Sequence, residues 1–308
     1  MQNPHAPILV IGSLNMDLVM RTPRVPQAGE TLHGHDFSTH HGGKGANQAF
    51  ACARLGGHVH MIGRVGKDDF GQRLKDGLST VGANIDGIET VDAPTGVAMI
   101  LVEDNGQNRI LLSAGANGTY TPEDIDPLAP AIRQACLLVL QLEIPVPAIV
   151  RLLAIAKAAG TPVLLNPAPM AALPDNCWDA VTYLIPNETE ASELTGIPVD
   201  SLDSASQAAK QLLARGVKQV LITLGSQGVW AAGAEANGHF PAQKVHAIDT
   251  TAAGDTFIGG IATGLQEGLS LTEAIQLGQA ASAITVSRRG AQSAIPARHE
   301  VTSANQPG

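Results

Sequence analysis

The chain of 308 residues contains few aromatic side chains and no excess of basic residues. Aromatic residues make up 3% of the sequence and hydrophobic residues 44%, so a core of the expected size has to be built from Ala, Val, Leu and Ile. Lysine and arginine number 19 against 28 aspartates and glutamates, which gives a formal net charge of −9, and no basic run occurs. Because nucleic-acid binding depends on clustered positive charge, this balance argues against a nucleic-acid surface.

Long apolar runs and paired cysteines are also absent. No stretch of 18 apolar residues occurs, so membrane insertion is unsupported. The pattern of a secretory signal, a charged region followed by an apolar region, is also absent, so secretion is unsupported. Cys52, Cys136 and Cys177 are an odd number, lie far apart and lack metal-ligand spacing. They are predicted to be buried small side chains of a protein in a reducing compartment, and the expected location is the cytoplasm.

The most informative segment runs from Asp249 to Gly260 and reads DTTAAGDTFIGG. The small residues Ala252, Ala253 and Gly254 allow a ligand to approach the predicted start of a helix, where free N–H groups attract anions. A carboxylate at such a site, here Asp255, makes sense where it accepts a proton during a reaction. The segment therefore indicates phosphoryl transfer to a hydroxyl group. An Asp-capped turn without a ligand is the alternative.

A second glycine-rich segment runs from His41 to Gly56 and reads HGGKGANQAFACARLG. Its glycines allow backbone amides to contact a polar ligand, and an apolar helical face follows with Ala46, Ala49, Phe50 and Ala53. Lys44 and Asn47 are expected at the mouth of that helix. The spacing differs from that of a Walker P-loop, which needs four residues between its first glycine and Gly-Lys-Ser/Thr. A plain strand-to-helix turn is the alternative for this segment alone.

Together the two segments resemble the paired signatures of the ribokinase/PfkB family of carbohydrate kinases. The resemblance covers nearly the whole chain, because family landmarks also occur at Asn15, Asp17 and the ranges 95–98, 114–117, 141–143, 166–169, 186–190 and 223–228. It implies one kinase domain over residues 1–308, with a ribokinase-like three-layer α/β/α sandwich, a mostly parallel sheet and a small β-sheet lid.

The alternation of β-rich and helical patterns independently predicts a parallel sheet covered on both faces. Strands are predicted at 8–11, 59–62, 137–142, 163–165, 183–185 and 220–224, and helices at 70–81, 148–159, 204–214, 254–266 and 272–286. The segments 14–40 and 95–113 lack helical patterns and predict strands of a separate small sheet. The tail from Thr302 to Gly308 is expected to be disordered.

For catalysis and sugar binding, the resemblance implies specific roles. Asp255 is the base, and the N–H groups of Ala252, Ala253, Gly254 and Asp255 stabilise charge on the transferred phosphoryl group. The implied sugar contacts are Asn15, Asp17, Gly43, Lys44, Gly45, Ala46, Asn47, Glu143 and Asp255. Taken singly, Asp17 and Glu143 are also compatible with capping or surface positions.

For the nucleotide and the ions, the resemblance implies further sites. The nucleotide contacts are Asn187, Thr223, Leu224, Gly225, Ser226, Gln227, Gly228, Gly254 and Gln279. Glu190 is expected to hold Mg²⁺ through water. The potassium ligands are expected to be Asp249, Thr251, Thr285, Arg288 and Gly290. Ala294 departs from the hydroxyl residue that family members often carry there, and Ser293 lies one position earlier.

The expected activity is transfer of the γ-phosphoryl group of ATP to the 5-hydroxyl of D-ribose. Deoxyribose or a nucleoside as acceptor is the first alternative, and a sugar-binding regulator without catalysis is the second. The resemblance also implies a homodimer in which two lids clasp, with the apolar lid residues Leu18, Met20, Met99 and Leu101 covered. Three close histidine pairs suggest zinc as a competing idea, namely His33 with His35, His40 with His41, and His58 with His60.

Overall fold

The computed structural model describes the backbone of residues 6–304 and the side chains of residues 6–302. Within this range the strands are β1 (Ile8–Ile11), β2 (Asn15–Thr22), β3 (His35–Gly42), β4 (Val59–Gly66), β5 (Asn84–Val91), β6 (Gly96–Glu103), β7 (Asn108–Ser113), β8 (Leu137–Leu140), β9 (Val163–Leu165), β10 (Tyr183–Leu184), β11 (Gln219–Thr223), β12 (Val229–Gly233) and β13 (Gly238–Phe240). The helices are α1 (Lys44–Arg54), α2 (Asp69–Thr80), α3 (Pro122–Ile125), α4 (Ala129–Gln134), α5 (Val146–Ala159), α6 (Glu188–Thr195), α7 (Leu202–Ala214), α8 (Ala253–Gln266), α9 (Leu271–Val286) and α10 (Arg298–Ala304).

A nine-stranded sheet forms the centre of the fold, in the order β13-β12-β11-β10-β9-β8-β1-β4-β5. The strands from β11 to β5 are parallel to their neighbours, and β12 and β13 add an antiparallel edge. The sheet is therefore mostly parallel, as predicted. Its carboxyl edge collects the loops that follow β1, β8, β9, β10 and β11, and ligands of open α/β sheets bind at this edge.

The central strand shows how the sheet acquires two covered faces. Leu9 and Ile11 pack into a core with residues of α5 and α7, whereas Ile8 and Val10 pack into a second core with residues of α1, α8 and α9. All four side chains are at most 1% exposed. Because successive residues of a strand point to opposite faces, this apolar run requires helices on both sides. The predicted three-layer sandwich is confirmed.

The predicted element positions are close to those observed. Strand β8 ends at Leu140 instead of Leu142, which places Gln141 and Glu143 in the following turn, and β4 continues to Gly66. The prediction misses strands β5, β12 and β13 and helices α3, α4, α6 and α10, because these elements are mostly polar or short. Helix α10 runs to Ala304, so the expected tail disorder does not begin at Thr302, and residues 305–308 lie outside the described part.

A second sheet of four strands, in the order β3-β2-β6-β7, is built from the two segments predicted for it, with β3 continuing to Gly42. Across β2, β6 and β7 the register aligns Leu18, Met99 and Leu111 on one face of the sheet. Met99 is 53% and Leu111 71% exposed, whereas Leu18 is partly buried against the main core. None of the helices in residues 6–304 is long and apolar enough to cross a membrane.

Candidate active site

A cavity of about 1320 Å³ is lined by loops at the carboxyl edge of the large sheet and by one face of the small sheet. Seven of the predicted sugar residues line it: Asn15, Asp17, Gly43, Lys44, Asn47, Glu143 and Asp255. Gly45 and Ala46 are buried in α1 behind this surface. The small sheet contributes Val19, Ile100 and Ile110 among others. The structure therefore brings together residues from distant parts of the sequence around one space.

Gly43 allows the loop before α1 to pass close to the start of β2. Its φ is 87°, and a Cβ at this position would lie 2.7 Å from the backbone nitrogen of Asn15. Only glycine fits such a turn and such an approach. Immediately afterwards, the Lys44 N–H donates to Glu143 Oε2 at 3.0 Å, and the Ser13 hydroxyl donates to the same oxygen. Glu143 thus ties the loops after β1 and β3 to the turn after β8.

Asp255 lies in the first turn of α8 and is 7% exposed. Its Oδ2 accepts a hydrogen bond from Asn47 Nδ2 at 3.0 Å, and its Oδ1 accepts one from Gln48 Nε2 at 2.9 Å. Helices α1 and α8 approach closely where a Cβ at Gly259 would lie 2.9 Å from the carbonyl carbon of Ala51. The small residues of both helices therefore bring the two amides to the carboxylate.

Further buried amides surround this pair. Gln48 Oε1 accepts from Gln141 Nε2 at 2.6 Å, and Asn47 Oδ1 accepts from Gln292 Nε2 at 3.1 Å. Gln48 Nε2 also lies 3.3 Å from Asn166 Oδ1. The sequence patterns predict no site role for these glutamines or for Ser13. A signal was present in α1, where Gln48 is a polar residue within an otherwise small and apolar helical face.

Charged side chains lie close together around the cavity and shift one another's pKa values. Burial, together with the negative charges of Glu143 and Asp255, raises the pKa of Asp17 from 3.8 to about 7. Burial alone would lower the pKa of Lys44, but Asp255, Glu143 and Glu190 raise it overall. Burial is also the main reason why the pKa of Glu190 is raised. One lysine among several carboxylates suits a ligand rich in hydroxyl groups, which both donate and accept hydrogen bonds.

The start of α8 opens toward free space. Ala252 precedes the helix with φ 58° and ψ 10°, a left-handed conformation that alanine rarely adopts. A Cβ at Gly254 would meet no atom within 4 Å. The Ala253 N–H, which is predicted to bind the anion, already donates to the Thr250 carbonyl oxygen at 3.2 Å. Within residues 6–304 the N–H groups of Ala252, Gly254 and Asp255 have no acceptor, and they remain available to an anion.

The predicted cation loops meet beside this helix start. Asp249 Oδ1 accepts from the Thr251 N–H at 2.9 Å, and its Oδ2 accepts from the Gly290 N–H at 3.0 Å. Despite partial burial, hydrogen bonds from the Thr251 hydroxyl and from these two N–H groups, together with the positive charge of Arg289, lower the pKa of Asp249. The Thr285 carbonyl oxygen accepts from the Arg288 N–H at 3.1 Å, and neither of these residues lines the cavity. Ser293 does line it, whereas Ala294 is buried.

None of the predicted nucleotide residues lines this cavity: Asn187 and residues 223–228 lie at the ends of β10 and β11, whereas Gly254 is in α8 and Gln279 in α9. Asn187 caps α6: its Oδ1 accepts from the Glu190 N–H at 2.8 Å, while Glu190 Oε2 accepts from the Asn187 N–H at 2.9 Å. Thr223 ends β11, and residues 225–227 form a single exposed turn before Gly228. Gln279 Nε2 donates to the carbonyl oxygen of Phe240 at 2.9 Å, so its amide is anchored to the backbone.

In the part of the chain that the structure describes, no group of three or more His, Cys, Asp and Glu side chains is arranged to hold a metal ion. Of the histidine pairs, His58 and His60 contact each other through their Nε2 atoms at 3.3 Å. Neither the pair of His33 and His35 nor the pair of His40 and His41 acquires a third ligand there. The structure therefore gives no support to the zinc hypothesis.

Comparison with known proteins places these features in context. The family model of pfkB family carbohydrate kinases matches residues 6–298. The chain is 46% identical over 306 residues to ribokinase from Schizosaccharomyces pombe, covering 96% of both chains, and 38% identical over 291 residues to deoxyribokinase from Salmonella typhi, covering 94% and 95%. It superposes on the structure of Arabidopsis thaliana ribokinase complexed with ribose and ATP with a TM-score of 0.93 at 34% identity, covering 100% of both chains.

Proposed function

The chain belongs to the pfkB family of carbohydrate kinases, and on this premise we propose that it transfers the γ-phosphoryl group of ATP to the 5-hydroxyl of D-ribose. One observation carries the proposal beyond the family. A buried carboxylate, Asp255, lies beside free N–H groups at the start of α8 and lines the same cavity as Asn15 and Asp17. A proton acceptor, a site for phosphoryl charge and a polar pocket for hydroxyls therefore adjoin one another.

In the proposed reaction, the ribose 5-oxygen attacks the γ-phosphorus, and the bond from that phosphorus to the bridging oxygen of ADP breaks. The hydroxyl proton passes to Asp255. The N–H groups of Gly254 and Asp255 donate to the phosphoryl oxygens as charge is redistributed over them. Since little covalent chemistry is required of the protein, positioning supplies most of the rate.

Sugar recognition is assigned to the cavity side chains around this point. Asp17 and Glu143 accept from ribose hydroxyls, and Lys44 donates to them. Asn15 already accepts from Asn117 Nδ2 at 2.8 Å, which leaves its own Nδ2 to donate. Asn47 has one amide hydrogen engaged with Asp255 and retains the other for a hydroxyl. A pocket of this kind disfavours sugars that lack a hydroxyl, because a buried polar group is then left unpaired.

The nucleotide is assigned to the loops after β10 and β11, which include Asn187 and residues 223–228, with Gly254 at the transferred phosphoryl group. ATP-using enzymes of this family work with a divalent metal, and we propose Mg²⁺. Glu190 suits contact through water, because its carboxylate oxygens accept from Asn187 and stay in place without a directly bound ion. Mg²⁺ neutralises charge on the phosphates when it is bound.

A potassium ion is assigned to the loops around Asp249 and Gly290. The proposed ligands suit a hard monovalent cation, since they are the Asp249 carboxylate and the backbone carbonyl oxygens of Thr251, Thr285, Arg288 and Gly290. Asp249 stays ionised because three hydrogen bonds and Arg289 favour its charged form. We also propose cytoplasmic location and one kinase unit over residues 1–308, in which the small sheet is the lid.

We further propose a homodimer formed through this lid. On the face away from the cavity, Met20, Met99 and Leu111 are 37%, 53% and 71% exposed and form a continuous apolar surface with Leu101. Such a surface is stabilised by burial against a second copy. Light scattering of the purified protein measures this directly, and a mass of one chain, 31.8 kDa, would contradict it.

The decisive experiment is a coupled ADP-release assay over ribose, 2-deoxyribose, other pentoses, hexoses and nucleosides. We expect the highest kcat/KM with ribose. Deoxyribose is the second candidate, because a relative named for that sugar is 38% identical. A higher kcat/KM with deoxyribose or a nucleoside would change the assigned acceptor. Saturable sugar binding without turnover of any acceptor would identify a regulator instead.

A further inference from the structure

The carboxylate of Asp255 is held by two amides that differ in their access to the cavity. Asn47 lines the cavity, whereas Gln48 is fully buried and does not. Gln48 nevertheless donates to Asp255 Oδ1 at 2.9 Å, as Asn47 donates to Oδ2 at 3.0 Å. A residue with this placement touches the base without touching the sugar or the nucleotide.

Neighbouring groups fix the direction of the Gln48 amide. Asn166 Nδ2 donates to the Ile185 carbonyl oxygen at 3.0 Å, which turns Asn166 Oδ1 toward Gln48. Gln141 Nε2 donates to Gln48 Oε1 at 2.6 Å. With its oxygen taken by one neighbour and one amide hydrogen directed at another, Gln48 can present only an N–H to Asp255. The donor is therefore specified by side chains from the loops after β8 and β9.

On the basis of the proposed function, we propose that Gln48 is the positioning residue of the catalytic base, through which Gln141 and Asn166 orient Asp255. The Gln48 N–H holds Oδ1, the Asn47 N–H holds Oδ2, and the carboxylate cannot rotate about its Cβ–Cγ bond without losing both bonds. The remaining lone pairs then face the sugar hydroxyl. Donation to both oxygens also stabilises the ionised carboxylate, which is the form that accepts a proton.

Other charged groups also face Asp255, and the test has to separate them from Gln48. They are Asp17 from β2, Lys44 from α1, Glu143 from the turn after β8 and Glu190 from α6, with Asp249 and Arg289 elsewhere on the cavity wall. All of them are retained when Gln48 alone is replaced. A difference between the wild-type and variant pH profiles is therefore attributable to the Gln48 contact.

The principal variant is Gln48→Met, which keeps the side-chain length and removes the N–H. We expect kcat to fall about 10- to 100-fold, as when groups that orient catalytic residues are lost. KM for the sugar and for ATP should stay within about threefold of wild type, because no ligand contact is removed. The acid limb of the kcat–pH profile should move to higher pH, since the carboxylate form has lost a donor.

Gln219→Met is the matched control. Gln219 is 1% exposed, donates to the Ala236 carbonyl oxygen at 2.7 Å and lies at the start of β11, outside the cavity. This variant loses a buried amide of the same kind, so it should lower thermal stability while leaving kcat and its pH profile unchanged. If both variants shift the profile equally, loss of a buried amide explains the effect and the proposal is overturned.

Gln48→Glu tests the idea if Gln48→Met does not fold. It keeps the acceptor for Gln141 but places a second carboxylate against Asp255, so the acid limb should again move to higher pH. A folded variant with the wild-type kcat and profile would overturn the proposal. The wild-type enzyme in the sugar panel separates the two claims. If it phosphorylates no sugar, the proposed function fails, whereas wild-type activity with unchanged Gln48 variants refutes the positioning role alone.

Discussion

In the half of the site assigned to the sugar, Asn15, Asn47 and Asp255 are 3%, 7% and 7% exposed, and their side chains bond to other side chains. In the half assigned to the nucleotide, Asn187 is exposed and its side chain caps a helix, while residues 225–227 form an exposed turn. Both halves lie at the carboxyl edge of the large sheet, the first around the loops after β1 and β8 and the second at the loops after β10 and β11. Yet the first is a buried network of side chains and the second is an arrangement of exposed backbone.

This difference predicts which half of the site discriminates between substrates. A buried polar side chain left without a partner is costly, so the sugar half distinguishes acceptors by single hydroxyl groups. An exposed loop retains water as an alternative partner, so changes in the nucleotide half should have smaller effects. Substitutions in the two halves can therefore be compared directly.

The largest expected effect is that of Asp255→Asn in the sugar half. The amide is nearly isosteric but accepts no proton, so kcat should fall by about 10²- to 10⁴-fold while the affinities for sugar and ATP stay close to wild type. Steady-state kinetics and calorimetric titration measure the two quantities. A variant that keeps more than about a tenth of wild-type kcat would remove Asp255 from the role of base.

Asp17→Asn should separate stability from sugar binding. The folded-state pKa of Asp17, about 7, lies above the ordinary 3.8, so its ionisation opposes folding as pH rises through this interval. The apo variant should therefore be more stable than wild type by about 2–4 kcal/mol at pH 8, and the gain should nearly vanish at pH 4. Urea denaturation at both values checks this. Equal stability at pH 8 would show that the buried charge carries no such cost.

The same variant should bind ribose more weakly, because an amide replaces a carboxylate acceptor in the cavity. A gain in stability accompanied by a loss of affinity would identify Asp17 as retained for binding. A double cycle compares kcat/KM for ribose and for 2-deoxyribose, each measured with the wild type and with Asp17→Ala. If the substitution penalises both sugars equally, Asp17 does not contact the 2-hydroxyl.

Potassium should raise kcat several-fold, and sodium less. The expected cause is an ordering of the loops around Asp249 and Gly290, which adjoin the start of α8 on the wall of the same cavity. Assays at constant ionic strength, with tetramethylammonium replacing potassium, provide the control. Identical rates in the two buffers would contradict the assignment of the ion to these loops.

The smallest effect is expected from Asn187→Ala in the nucleotide half. Loss of the cap of α6 should lower the free energy of unfolding by about 1 kcal/mol, as is typical of an exposed N-cap. KM for ATP should rise, whereas KM for the sugar should stay unchanged. A strong loss of sugar affinity would mean that binding in the nucleotide half and binding in the sugar half are energetically coupled.

The sequence predicts the fold well because its strongest patterns are long or continuous. Val163–Leu165 and Ile8–Ile11 are short and fully apolar. Such runs indicate strands of a parallel sheet that is covered on both faces. The hydrogen-bond partners of the site residues could not be predicted in this way. Gln292 and Asn47 are 245 positions apart, and their contact depends on how α1, α8 and the last loop pack together. The engaged N–H of Ala253 likewise follows from one local turn.

Ala252 has a consequence for the thermodynamics of phosphate binding. A glycine there would sample several backbone conformations in the free enzyme, and fixing one of them on binding would lower the entropy. Alanine has fewer accessible conformations, and the surrounding turn holds it at φ 58° before any ligand arrives. The folded chain accepts about 1 kcal/mol of strain, and the anion then meets a turn that is already ordered. Calorimetry should accordingly give a less favourable entropy of ATP binding for Ala252→Gly than for the wild type.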